Sequence, residues 1–142
     1  MPRFAANISF LFTEIDFPDR FAAAAEAGFS AVEWHFPYGF DTHDLAQRLA
    51  DNGLRAALFN LPPGDWDGGE RGIACLPGRV AEFEDGVGRA IDYAKALGCR
   101  RINCLAGLTP AGADIVALRE TFVSNLRHAA ARTAEAEITL LI

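Results

Sequence analysis

Five polar side chains stand at or near the ends of short apolar runs: Asn7, Glu33, His35, Asn60 and Asn103. A carboxylate, an imidazole and three carboxamides can together bind a small polar substrate. Strand alternation puts Glu33 and His35 on one face of their run, with Val32, Trp34 and Phe36 on the other. The plainer reading pairs Glu33 with an arginine and buries His35 among satisfied neighbours. Asn7, Asn60 and Asn103 can each donate to a substrate oxygen, or can cap the turn that follows their run.

The stretch Asn60 to Arg79 adds a second group. It holds five glycines and three prolines and has no sustained period of 2 or 3.6. Loops this long inside a compact domain are uncommon and tend to be functional or disordered. Trp66, Ile73, Cys75 and Leu76 are too apolar to be left in water, so an ordered loop is expected, folded over something polar. Glu70 and Arg71 are the residues available to touch that ligand. Arg71 can grip a carboxylate in bidentate fashion, or can be used up in a pair with Glu70 or Asp67. Asp65-Trp66-Asp67 is a weak cation motif. His43 and His128 fall on expected helices and read as surface or packing residues.

Other chemistries lack their residues. There is no Ser-His-Asp set and no His-x-x-x-His pair, and the glycines of the loop do not match a dinucleotide fingerprint. The three cysteines, Cys75, Cys99 and Cys104, have no Cys-x-x-Cys spacing and read as reduced thiols. Net charge is −6, and the positive charge is scattered arginine with Lys95 the one lysine. No basic stripe supports nucleic-acid binding. No apolar run approaches the roughly 20 residues of a membrane helix. Met1 to Asn7 lacks the apolar core of a signal peptide, so a cytoplasmic location is expected.

The elements that must position these groups alternate. Strands are expected over Phe4–Phe12, Ser30–Phe36, Leu54–Phe59, Arg101–Leu105 and Ile138–Ile142. Between them lie helices opened by Pro18, by Asp41 or Thr42, near Val80, and after Thr109-Pro110. Gly28, Gly53 and Gly98 end the first three. Strand–helix alternation implies parallel strands with right-handed crossovers. An open doubly wound sheet and a piece of a (β/α)8 barrel both fit. The polar residues recurring at strand C-terminal ends favour the barrel, whose active sites sit on that rim. A whole barrel takes about 250 residues. The expected fold is therefore α/β, a partial TIM (β/α)8 barrel of about four βα units plus a fifth strand, with residues 1–142 the N-terminal portion of one domain.

Several segments together resemble the hydroxypyruvate isomerase family of the xylose-isomerase-like TIM-barrel superfamily. They are Arg3-Phe4-Ala5-Ala6-Asn7, Gly28 to Glu33 with Phe36-Pro37-Tyr38, Pro63-Gly64-Asp65-Trp66 with Gly69 to Arg79, and Arg101 to Leu105. The resemblance runs the length of the chain. The related 2-oxo-tetronate isomerases share the opening and the Pro-Gly-Asp element. The resemblance implies interconversion of hydroxypyruvate and tartronate semialdehyde through an enediolate, within glyoxylate metabolism. It also implies two proton-transferring glutamates, with a divalent cation (Mg or Mn) held by the complete barrel. One glutamate is expected in a Glu-Pro pair directly after strand five, and the second on later strands. Both lie beyond Ile142, so no residue here takes the catalytic proton transfer and none is assigned as a metal ligand. Arg71 is then the first choice for the substrate carboxylate, with Glu33, His35, Asn7, Asn60, Asn103 and Glu70 around it. Other expectations are a non-catalytic half-barrel that binds hydroxy acids, and a homo-oligomer formed through exposed sheet edges.

Overall fold

The computed structural model describes residues 2–142. Five parallel strands form one sheet: β1 (Ala6–Asn7), β2 (Ala31–Glu33), β3 (Arg55–Asn60), β4 (Arg101–Asn103) and β5 (Thr139–Leu141). Four helices alternate with them: α1 (Arg20–Glu26), α2 (Thr42–Asp51), α3 (Val80–Leu97) and α4 (Ile115–Glu135).

The strand order is β1-β2-β3-β4-β5. A doubly wound sheet reverses direction at a switch point, whereas a barrel adds each strand beside the last. The unbroken order is therefore that of a partial barrel. Right-handed crossovers between strands laid in this order put all four helices on one side. Accordingly α1 packs on α2, α2 on α3, and α3 on α4.

The core lies between sheet and helices. Ala6, Val32, Phe59 and Ile102 are fully buried on that side, and Trp34 and Phe21 meet them from above, ring centroids 5.6 Å apart. Each large side chain so buried contributes about 1.5–3 kcal/mol.

Helix boundaries follow local chemistry. Pro18 sits in a 3-10 turn (Phe17–Asp19) that leads into α1. The Asp41 carboxylate accepts the N–H groups of His43 and Asp44, and the Asp114 carboxylate those of Val116 and Ala117. The fourth helix thus starts after Asp114, later than Thr109-Pro110 suggests. It also ends without a glycine: Glu137 takes φ +57° where Gly98 takes +61° after α3. A left-handed non-glycine residue costs roughly 1–2 kcal/mol.

One strand differs markedly from expectation. The run Phe4–Phe12 gives only the two-residue β1. Asn7 ends it, because its side-chain oxygen accepts the Ser9 N–H at 3.1 Å and its carbonyl accepts the N–H groups of Phe10 and Leu11. The chain therefore turns instead of extending, and Phe4 and Phe10 are about 70 % exposed rather than packed on a sheet face (71 % and 67 %).

Candidate functional site

The four carboxyl-terminal strand residues meet in pairs. Ladder partners on parallel strands share a face, and the register sets Asn7 beside Glu33 and Asn60 beside Asn103. The Asn7 amide donates to Glu33 Oε1 at 3.0 Å, and the Asn103 amide donates to Asn60 Oδ1 at 3.0 Å. Asn7 thus caps its turn and commits an amide N–H to Glu33 across the rim.

A bulge makes this alignment. Val32 pairs with Ala56, but the next residue, Glu33, pairs with Leu58, and Ala57 is passed over. Strict alternation would put Asn60 on the helix side of β3. The extra residue inverts the parity, so Phe59 packs in the core and Asn60 turns to the face that carries Glu33. The Asn60 N–H then donates to the His35 carbonyl at 2.9 Å, which locks β2 and β3 at the rim.

His35 is half-buried in an aromatic surround. Its ring centroid lies 4.8 Å from Phe10, 5.5 Å from Phe36 and 5.7 Å from Trp66. Its backbone N–H donates to Ser9 Oγ at 2.9 Å, and among the described residues its ring nitrogens make no hydrogen bond. Burial pushes the imidazole below its usual value of 6.5, and the Glu33 carboxylate pulls part of the way back. The unfolded chain takes up this proton at higher pH than the folded one, so the neutral form's contribution is complete above about pH 6.5 and is lost as pH falls. The unfolding free energy should therefore decline on acidification from pH 7 toward 5, and His35→Gln should flatten that part of the urea-midpoint profile. An unchanged slope in His35→Gln would show that burial of this ring is not the cause.

The loop after β3 is a braced structure. Tyr38 Oη donates to the Asn60 carbonyl at 2.6 Å where the loop begins, and burial holds that phenol protonated far above its usual range. Glu70 folds back on the loop: its carboxylate accepts the Asp65 N–H at 2.5 Å and an Arg79 Nη1–H at 2.6 Å. These bonds hold the Glu70 carboxyl below the usual carboxylate range. Arg79 also grips Glu82 through Nε and Nη2, so each of its three side-chain nitrogens is engaged.

Arg71 is placed differently. Its guanidinium lies 4.0 Å over the Trp66 ring, and its Nη1 donates to the carbonyls of Trp66 (3.1 Å) and Glu70 (2.6 Å). It forms no pair with Glu70 or Asp67 carboxylates. Among the described residues, Nε and Nη2 make no hydrogen bond, which leaves the side-on fork that carboxylates prefer. Trp66 in turn rests against Phe36 and His35.

The far half of the loop is tied to other elements. The Gly72 N–H donates to the Pro63 carbonyl, and the Cys75 N–H to the Ala106 carbonyl beyond β4. The buried Asn125 of α4 donates to the Ala74 carbonyl at 2.9 Å. Asn125 is not among the residues expected here; its signal is a polar residue on the stripe Leu118, Phe122, Leu126, Ala129. Ser9 lies beside Asn7 near the end of the first apolar run, and Tyr38 lies in the Phe36-Pro37-Tyr38 segment that carries part of the resemblance.

Metal-binding capacity is slight. Among the described residues no three His, Cys, Asp or Glu side chains group to hold an ion. Asp65 spends one oxygen on the Gly68 N–H at 2.8 Å. Cys75, Cys99 and Cys104 are free and buried, and burial pushes the Cys104 thiol up to about 12. A separate cavity of about 920 Å³ lies toward the opposite ends of the strands, lined in part by Arg3, Arg55, Arg100 and Arg101. No rim residue borders it.

Residues 21–142 match the family model described as xylose isomerase-like TIM barrel. The whole chain is 54 % identical to hydroxypyruvate isomerase of Escherichia coli (strain K12), over 55 % of that protein's length. It is 53 % identical to 2-oxo-tetronate isomerase of Cupriavidus necator, again over 55 %. A crystal structure described as AP endonuclease, family 2, from Brucella melitensis superposes with a TM-score of 0.95 at 50 % identity, covering 99 % of this chain and 54 % of that one. The chain thus spans about half the length of the curated relatives it matches.

Proposed function

This chain belongs to the xylose isomerase-like TIM barrel family, and from that premise we propose that it is the N-terminal portion of a single barrel domain whose complete form is a hydroxypyruvate isomerase. The observation that carries this reading is the open Nε–Nη2 fork of Arg71, on a loop that rises from a rim of paired carboxamides. The substrate pairs a carboxylate with an adjacent carbonyl and hydroxymethyl group, and these are the groups such a site holds.

The reaction moves one proton between adjacent carbons. A base removes a proton from the hydroxymethyl carbon of hydroxypyruvate, and the electron pair passes to the carbonyl oxygen, giving an enediolate. Return of a proton to the former carbonyl carbon, with the neighbour's hydroxyl proton passing to the former carbonyl oxygen, gives tartronate semialdehyde. Arg71 anchors the carboxylate, which stays unchanged throughout. The amides of Asn60 and Asn103 face the enediolate oxygens, where charge develops and donors are most effective. Glu33, steadied by Asn7, and the neutral His35 line the rim beside them. By resemblance the proton-transferring glutamates follow β5 and are not among residues 1–142. Among the described residues Glu33 is the one carboxylate at the paired strand ends and no three ligating side chains group to make a metal site, so no step here passes through an ion.

The near-equal identity to a 2-oxo-tetronate isomerase favours a second substrate of the same class, longer by one hydroxylated carbon. The Brucella melitensis protein is described as an endonuclease, but this chain is acidic and its arginines form no stripe along the rim, which does not favour DNA as a ligand. Glyoxylate metabolism in the cytoplasm is the setting the reading implies. The sheet edges at β1 and β5 are where the remaining strands, or a second copy of the chain, would pair.

The test is turnover in D2O by the complete reading frame that carries this sequence. We expect conversion of hydroxypyruvate with solvent deuterium entering the product carbon, and no turnover by residues 1–142 alone. Inertness of the complete protein toward both hydroxypyruvate and 2-oxo-tetronates would remove the isomerase reading. Turnover by residues 1–142 alone would show that the proton transfers belong to groups in this half.

A further inference from the structure

We propose that Trp66 is the positioning residue for Arg71, presenting its open guanidinium edge to the substrate carboxylate; this rests on the reading of Arg71 given above. An exposed arginine has several rotatable bonds and pays for being held in one geometry. Arg71 is nonetheless fixed at three points. The indole lies under its guanidinium at 4.0 Å, the Trp66 carbonyl accepts from Nη1, and so does the Glu70 carbonyl. Two of the three belong to Trp66. All the hydrogen bonds use Nη1, so the tether leaves Nε and Nη2 together and unspent.

Trp66 can serve as a fixed plate because it is itself held. Its ring meets Phe36 at 4.9 Å and His35 at 5.7 Å, and its carbonyl also accepts the Gly69 N–H at 3.1 Å. The turn beneath it is closed by Asp65, whose carboxylate takes the Gly68 N–H and whose carbonyl takes the Glu70 N–H. The neighbouring loop arginine is the internal contrast. Arg79 makes no cation–π contact among the described residues and commits Nε and Nη2 to Glu82 and Nη1 to Glu70, so its Nε–Nη2 edge is already taken. The indole thus serves a double purpose: it orders the arginine without consuming a donor, and it joins the carboxylate anchor to the His35 side of the rim.

The experiment compares two ligands of one skeleton on the complete protein: hydroxypyruvate, and dihydroxyacetone, in which a hydroxymethyl group replaces the carboxylate. Trp66→Leu should weaken hydroxypyruvate about 3- to 10-fold while changing dihydroxyacetone less than twofold, the range expected for losing a cation–π contact. Trp66→Phe should restore most of the loss. In an Arg71→Leu background, Trp66→Leu should have no further effect. The Arg71 Nε–H resonance, shifted by the indole ring current in the parent, should move to its solvent-exposed position in Trp66→Leu. The proposal is overturned if Trp66→Leu weakens both ligands equally, if its effect persists in the Arg71→Leu background, or if that resonance does not move. Should Arg71→Leu itself leave hydroxypyruvate binding unchanged, the carboxylate reading fails and the proposal with it. A large effect of Arg71→Leu with none of Trp66→Leu rejects the proposal alone.

Discussion

Gly72→Ala is expected to lower the unfolding free energy by roughly 2–5 kcal/mol, read as a fall in the urea midpoint at unchanged slope. Two costs combine. Gly72 has φ +102°, a conformation that side chains rarely adopt. A β-carbon there would also fall inside contact distance of the Leu105 carbonyl oxygen and lie 2.7 Å from the Leu105 side chain. That neighbour cannot give way easily. The loop and the segment after β4 are pressed together at this point, and a β-carbon on Gly107 would in turn sit 2.7 Å from the Gly72 carbonyl. Gly69 is the control, with φ +99° but open space around it. Gly69→Ala should show the strain alone and cost roughly 1–3 kcal/mol. Equal losses at the two glycines would show that close approach to Leu105 adds nothing.

Arg71→Leu in the complete protein should lower kcat/KM for hydroxypyruvate by about 100-fold while leaving the melting temperature within a degree or two. A charge-assisted, two-pronged hydrogen bond contributes about 3 kcal/mol once desolvated by the ligand. The folded state loses little, because Arg71 is exposed and donates only to loop carbonyls that water can reach. Arg79→Leu is expected to do the reverse: it strips partners from Glu70 and Glu82, loosens the loop, and lowers stability before it touches substrate discrimination. A similar kinetic loss in both variants would mean that the loop is sensitive to any charge removed from it.

Much of this architecture is written in local patterns. Gly28, Gly53 and Gly98 all take positive φ after their helices, and Asp41 caps α2 as its position suggests. The apolar stepping from Val80 marks α3 from its first residue. Two features depart from these patterns. Extension of the first strand through Phe12 is the natural reading of an apolar run, yet the Ser9 N–H donates to the Asn7 side chain and the Phe10 and Leu11 N–H groups donate to its carbonyl, and the chain turns. The bulge at Ala57 depends on the register between β2 and β3, which no residue type announces, and on it rests the fact that Asn60 faces the same way as Glu33. The candidate residues are thus legible as types at strand ends. Their pairing is not, because ladder register is a long-range property. The division of labour between Glu70 and Arg71 was hidden for a similar reason: adjacent charges in a glycine-rich loop look alike until the fold assigns one to bracing and leaves the other an open edge.

Where a bound carboxylate comes to rest decides the account most directly. A structure of the complete protein with hydroxypyruvate, trapped by replacing the proton-transferring glutamate, is predicted to show the carboxylate held by Nε and Nη2 of Arg71 and the carbonyl oxygen beside the amides of Asn60 and Asn103. A carboxylate seated instead among Arg3, Arg55, Arg100 and Arg101, at the other ends of the strands, would contradict it.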